Sequence, residues 1–282
     1  MSGQLFRPKL KVIVYGHTGA RKSSFAKTFP KPMLVWQFDA HGKDFPYWRD
    51  SEHNILPPEA IGELNSYQIE GTSIFIPYRD IQHPDGPVRI EYYHDEDPEK
   101  PHAYNDWKIR KKNFALEAEQ WATLVDDSLT SHELTTRMYY KYVLNPQTDK
   151  EFKSRNPLQW FGNSTDALEE ALKGSYMSYQ CNVVIVAHVD TERDESAMVG
   201  QSARNPMAPG RLRGGLAQQY MELYYAYVYT DPQTKQTMGL LQTQPNGQFH
   251  ASTQIGAPNP CYGHYESLWE LFDREQAGRS QG

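Results

Sequence analysis

The stretch Lys11 to Phe29, KVIVYGHTGARKSSFAKTF, constrains the fold more than any other part of the chain. An apolar, β-branched run, LKVIVY, ends at Gly16. A short loop follows, and Lys22-Ser23 opens a helical stretch over 23–29 that Pro30 and Pro32 stop. Strand, tight loop and helix in this order describe a turn whose successive backbone N–H groups point inward and cradle phosphate oxygens. The helix N-terminus adds its dipole.

On this reading Gly16, His17, Thr18, Gly19, Ala20, Arg21, Lys22, Ser23 and Ser24 form a nucleotide-binding loop. Lys22 reaches the β- and γ-phosphates, and the Ser23 hydroxyl ligates Mg²⁺. One residue departs from the pattern GxxxxGK[ST]: Arg21 stands where the second glycine belongs. If that position needs a glycine-like backbone, arginine costs about 1–2 kcal/mol there and brings a large cation near the phosphates. An ordinary strand–turn–helix is the bland reading of the same residues.

Further apolar strands at 33–38 (MLVWQF), 73–77, 88–93, 122–126 and 182–187 (NVVIVA) alternate with helical stretches at 102–120, 131–143 and 164–179, the last with Ser164 or Thr165 as N-cap. Segments 219–229 and 237–243 pair as an antiparallel hairpin, 265–272 closes the chain as a helix, and the tail from Gln276 frays. This alternation predicts an α/β fold: a mostly parallel sheet sandwiched by helices, with an antiparallel C-terminal extension. The long loops are expected at 79–87, 94–101, 145–157 and 190–215.

Three strand ends carry polar candidates. WATLVDDSLT supplies a carboxylate to hold Mg²⁺ beside the phosphate loop. Asp127 is the choice, with Asp126 the adjacent alternative and helix capping the bland reading of both. Asp39, after MLVWQF, is the candidate to orient an attacking water. His188, at the end of NVVIVAH, is placed to sense a γ-phosphate and move the following loop. Lys22, Asp127, Asp39 and His188 are thus the catalytic candidates, and Ser23 and Asp127 the metal ligands.

In order, YGHTGARKSS, VWQFDAHGKDFPY, WATLVDDSLT, CNVVIVAHVDTERDE and APGRLRGGL resemble the RecA-like P-loop ATPases of bacteriophages, the AAA-type phage nucleotide-binding proteins. The resemblance spans about 10–270 of a single RecA-like domain, 1–282. It implies ATP and Mg²⁺ binding, association with single-stranded DNA, and work beside annealing or single-strand-binding proteins in phage recombination. Three departures matter. Arg21 replaces glycine, His41 stands near the place of the family's catalytic glutamate, and Gln254 stands where an arginine is expected. They put fast turnover in question more than binding.

The net charge of −6 argues against a mainly electrostatic duplex-DNA binder, so cations must act locally. Arg204, Arg211 and Arg213 form one such group, suited to a nucleic-acid backbone or to a neighbour's γ-phosphate in a homo-oligomer. KIRKK at 108–112 reads as a solvated face, HDEDPE at 94–99 as a solvated loop, and the tyrosines at 139–142 and 224–229 as core or half-buried positions. Two cysteines give no disulfide framework or zinc pattern, and no run suits a membrane span or signal peptide, so the cytoplasm (a host's, if phage-encoded) is expected. A small-molecule kinase and a nucleotide-gated module without turnover are the rival functions.

Overall fold

A computed structural model of the chain describes residues 7–40, 44–144, 157–191, 204–208 and 212–279. Its strands are β1 (Lys11–Gly16), β2 (Met33–Gln37), β3 (Asn65–Gln68), β4 (Phe75–His83), β5 (Gly86–Tyr92), β6 (Thr123–Asp127), β7 (Asn182–Thr191), β8 (Arg204–Pro206), β9 (Glu222–Thr230), β10 (Thr237–Gln242), β11 (Ser252–Thr253) and β12 (Cys261–Tyr262). The helices are α1 (Lys22–Ala26), α2 (Ala103–Glu117), α3 (Leu129–Tyr139), α4 (Pro157–Glu169), α5 (Leu212–Gln219), α6 (Tyr265–Leu268) and α7 (Glu270–Arg279).

The sheet runs β12-β10-β9-β1-β7-β6-β2-β5-β4-β3, with β11 on β9 and β8 on β7. β9, β1, β7, β6, β2 and β5 pair in parallel. β10 and β12 add antiparallel strands at one edge, as expected, and β4 and β3 add two more at the other. The segment expected as a loop at 79–87 is the β4–β5 hairpin.

Alternate side chains of each central strand enter two cores. Ile13, Leu34, Leu124 and Val183 pack on one face under α2, α3, α4 and α5. Val12, Val35, Val125 and Val184 pack on the other under α1, α6 and Trp269. Both faces are dry, so these strands read as continuous apolar runs.

Several boundaries differ from expectation. α4 is already helical at Pro157, and Ser164 and Thr165 lie inside it with their hydroxyls donating to the Phe161 carbonyl, so neither is the N-cap. α7 stays helical through Arg279, past the expected fraying point, with residues 280–282 outside the described set. The 190–215 segment, where described, holds the end of β7, β8 and α5. The stretch 145–156 lies outside the described residues.

The basic run at 108–112 is only partly solvated. Arg110 and Lys111 are buried, the first between Glu91 and Glu117 and the second on Glu170. Glu91 is fully buried on β5 and also accepts from Trp36, Tyr67 and Tyr93. Removing the carboxylate leaves Arg110 with Glu117 alone and takes the acceptor from Trp36, Tyr67 and Tyr93. Glu91→Ala is therefore expected to lower unfolding free energy by about 3–5 kcal/mol, measured by urea denaturation. A loss under about 1 kcal/mol would show that the network is not a structural anchor.

Candidate functional site

Strand parity decides which acidic residue faces the loop. On β6, Leu124 and Asp126 point to the α2–α3 face, and Val125 and Asp127 to the α1 face. Asp126 is fully buried. Its Oδ2 accepts from the Tyr176 hydroxyl at 2.6 Å and lies 2.8 Å from Nδ1 of His132, a ring stacked on Phe38. Asp127 accepts from the Tyr47 hydroxyl at 3.0 Å and lines one cavity with Ser23. Ser128, not either aspartate, takes the N-cap position of α3.

Asp127 ends β6, one strand removed from β1. β7 lies between β1 and β6, and the loop between β1 and α1 reaches across it. A cavity of about 450 Å³ opens at the carboxyl ends of these strands, lined by Thr18, Gly19, Lys22, Ser23, Asp39, Asp127 and His188, among others.

The loop is shaped by a close approach and two left-handed residues. A Cβ on Gly16 would sit 2.4 Å from the Ala226 carbonyl oxygen of β9, so only glycine lets β1 end there. Gly19 has φ +81 and Arg21 φ +61. Arg21 thus occupies the conformation that the missing glycine would favour, at about 1–2 kcal/mol. Lys22 is 7% exposed, and its ammonium donates to the carbonyls of Gly16 and His17 at 3.0 and 2.9 Å. With five residues, α1 offers its free first-turn amides more than a long-helix dipole.

Burial pushes the Lys22 pKa down, against the pull of Asp127 and Asp39. Burial pushes the Asp127 carboxyl up to about 6, eased by the bonds from Ser23 and Tyr47, raised further by Asp39 and lowered by Lys22. A hydroxyl and a carboxylate lining one cavity, Ser23 and Asp127, are a donor set suited to Mg²⁺, which takes few protein oxygens and keeps its waters.

Asp39 joins this cavity, and the Ser131 hydroxyl of α3 donates to it. His188 also joins it, but β7 does not end there: pairing with β1 stops at Gly16–His188 while the strand runs on to Thr191. Its carbonyl accepts from Met207 N at 2.7 Å, just past β8. Arg204 lies on β8, opposite Thr191, and Arg213 on α5. Arg211 and His41 fall outside the described residues. Gln254 lies at the other end of the sheet, because β11 pairs with Leu223 and Glu222 at the start of β9, so it is remote from the loop. Asp95 caps α2 through the amides of His102 and Ala103. Among the described residues no cluster of three or more His, Cys, Asp or Glu could hold a metal. Sequence reasoning missed Tyr47, which the 3₁₀ turn Phe45–Trp48 delivers to Asp127. Pro46 marks that turn, but nothing local marks its target.

No family model and no curated protein matches the chain. Among solved structures it is similar to the flagellar accessory protein FlaH of Methanocaldococcus jannaschii, at 8% identity over 88% of this chain and 83% of that one, with a TM-score of 0.35. It is also similar to a KaiC-like protein of Pyrococcus horikoshii OT3, at 13% identity over 84% and 79%, with a TM-score of 0.34. Likenesses this distant say nothing of activity, and the fold class rests on the strand order above.

Because the folded pKa of Asp127 exceeds the ordinary 3.8, the folded state binds its proton more tightly and loses stability as pH rises from about 4 to 6. The ionised group then costs up to about 3 kcal/mol at neutral pH. Asp127→Asn is expected to be more stable than wild type at pH 7.5, with the gain vanishing near pH 4, by denaturant titration. An Asn variant no more stable than wild type at pH 7.5 overturns the assignment of strain to this carboxylate.

Proposed function

We propose that the chain is a RecA-like P-loop nucleotide-binding protein that binds ATP with Mg²⁺ and hydrolyses it slowly. The observation that carries this is Lys22: a buried ammonium resting on its own loop's carbonyls, at a cavity that Ser23 and Asp127 line. The loop amides and Lys22 would hold the phosphates, with Lys22 exchanging two carbonyls for phosphate oxygens. Ser23 and Asp127 would hold Mg²⁺, which neutralises charge developing on the transferred phosphoryl group. Tyr47 orients the Asp127 carboxylate through its hydroxyl.

Asp39 is the residue offered for positioning water. Its bond from Ser131 keeps it at the cavity wall but occupies one oxygen, in keeping with slow turnover. The link from the His188 carbonyl to Met207 gives nucleotide state a short route to the β8 segment. That segment and α5 carry Arg204 and Arg213, which with Arg211 are the cations proposed to follow single-stranded DNA. The motif order supports a role in phage-type recombination or replication, with an annealing or single-strand-binding protein as partner. Among the described residues no helix is long and apolar enough to cross a membrane.

Turnover of ATP by the purified protein, with and without single-stranded DNA and beside Lys22→Ala, tests this reading. Release of ADP and phosphate that rises with DNA and falls at least about 100-fold in the variant is expected, the scale of losing one preorganised charge contact. ATP binding unaffected by Lys22→Ala overturns the site. Binding without turnover leaves a nucleotide-gated module, and a phosphorylated acceptor reassigns the chain as a kinase.

A further inference from the structure

Past the C-terminal end of α1, a cavity of about 490 Å³ lies between the residues that follow the helix, the β4–β5 turn and the start of α6. Lys27, Lys31 and His83 line it. α1 is five residues long, so this cavity and the loop bearing Gly16 to Arg21 stand at its two ends.

A lysine is almost never fully buried without a charged partner. Here two come close to it: Lys27 is 2% exposed, and the side chain of Lys31 is 3% exposed. The Lys27 ammonium donates to the carbonyls of Arg49 and Asp50 at 3.1 and 2.7 Å. The Lys31 ammonium donates to the Lys27 carbonyl. Asp85, its one ion-pair partner among the described residues, stands 4.0 Å away, beyond hydrogen-bond reach. An ammonium carries three N–H donors, so Lys27 keeps one and Lys31 two for a further acceptor. His83 is spent locally: its Nε2 lies 3.1 Å from the Arg49 carbonyl, and its Nδ1 accepts from the Asp85 amide at 3.2 Å.

The stem of Lys31 is held in place. A Cβ on Gly86 would lie 2.8 Å from Cβ of Lys31, so the β4–β5 turn closes on that side chain only because glycine stands there, with φ +125. Burial pushes the Lys27 pKa down to about 8 and also lowers that of Lys31, with Asp85 opposing both. Two ammoniums kept from water and answered mainly by carbonyls lack a counter-charge.

We propose that this cavity is a binding site for a compact oxyanion of the phosphate class, held by the ammoniums of Lys27 and Lys31. The site is separate from the loop of Lys22, and the proposal does not rest on the nucleotide reading. The rim decides the size of the ligand. Asp85 and Glu266 line the cavity with 54% and 61% of their side chains exposed, and Glu266 is engaged by Arg7. Carboxylates at the mouth repel a long polyanion such as a nucleic-acid backbone. An anion small enough to pass them reaches the ammoniums, whose charge-assisted hydrogen bonds then supply the missing counter-charge.

Calorimetric titration of inorganic phosphate into the full chain tests this. Binding is expected to survive Lys22→Ala, which removes the loop's own ammonium. Placed in that background, Lys31→Met keeps the stem, removes the charge and is expected to weaken phosphate at least about tenfold. Asp85→Asn changes an exposed side chain, so it spares the fold, and is expected to tighten phosphate about threefold by removing a like charge. A short single-stranded oligonucleotide is expected not to displace the phosphate. Phosphate binding that is lost in Lys22→Ala and unchanged in Lys31→Met and Asp85→Asn belongs to the loop alone; it overturns the proposal and leaves the nucleotide reading standing. No phosphate binding to wild type overturns it as well. Displacement by the oligonucleotide overturns the compact-anion assignment and gives these lysines to a nucleic-acid backbone.

Discussion

A parallel strand covered on both faces has no side on which to place a polar group in water. In this chain β1, β2, β6 and most of β7 are buried from end to end. Two buried carboxylates within the sheet are held by partners, Glu91 by Arg110 and Asp126 by His132 and Tyr176. On β1 and β6 the other charged residues, Lys11 and Asp127, stand at strand ends. The carboxyl ends of β1, β2, β6 and β7 therefore collect Lys22, Asp39, Asp127 and His188 around one cavity. The dry sheet is what makes that end of the molecule chemically dense.

The cavity is electrostatically unfinished. Lys22 and Asp127 are both held away from water, and burial disfavours the charged form of each. Neutral partners, the carbonyls of Gly16 and His17 for one and the hydroxyl of Tyr47 for the other, steady them. A polyphosphate with a divalent cation would answer both groups at once. Arg21 contributes a second tension, because a left-handed arginine is retained where glycine would be easier. The space opened by Gly239 shows that the surrounding strands accommodate that arginine.

The His188 end of β7 extends this chemistry outward. The strand leaves its parallel partner at Gly16 and continues from Val189 to Thr191 in antiparallel pairing with β8. One continuous strand thus runs from the cavity to the segment bearing Arg204. A shift at the cavity wall has a rigid element to act on, which a free loop would not offer.

The strand–loop–helix at 11–29 was legible because its signals are local: an apolar β-branched run, a glycine where the strand stops, and prolines that limit the helix. The alternation of strands and helices, and hence the mostly parallel sheet, was legible for the same reason. Asp126 and Asp127 were not separable, because a strand buried on both faces is apolar on both, and no alternation reports which face a residue takes. The partnership of Tyr47 with Asp127, the burial of Arg110 and Lys111, and the remoteness of Gln254 also escaped local reading. Each depends on which distant strand or helix lies alongside, and a pattern of nearest neighbours in the chain carries no record of that. The meeting of Arg21 with Gly239 is the clearest instance. Sequence shows a glycine missing at one place and a glycine breaking a strand 218 positions later, and packing across the cleft makes them one feature.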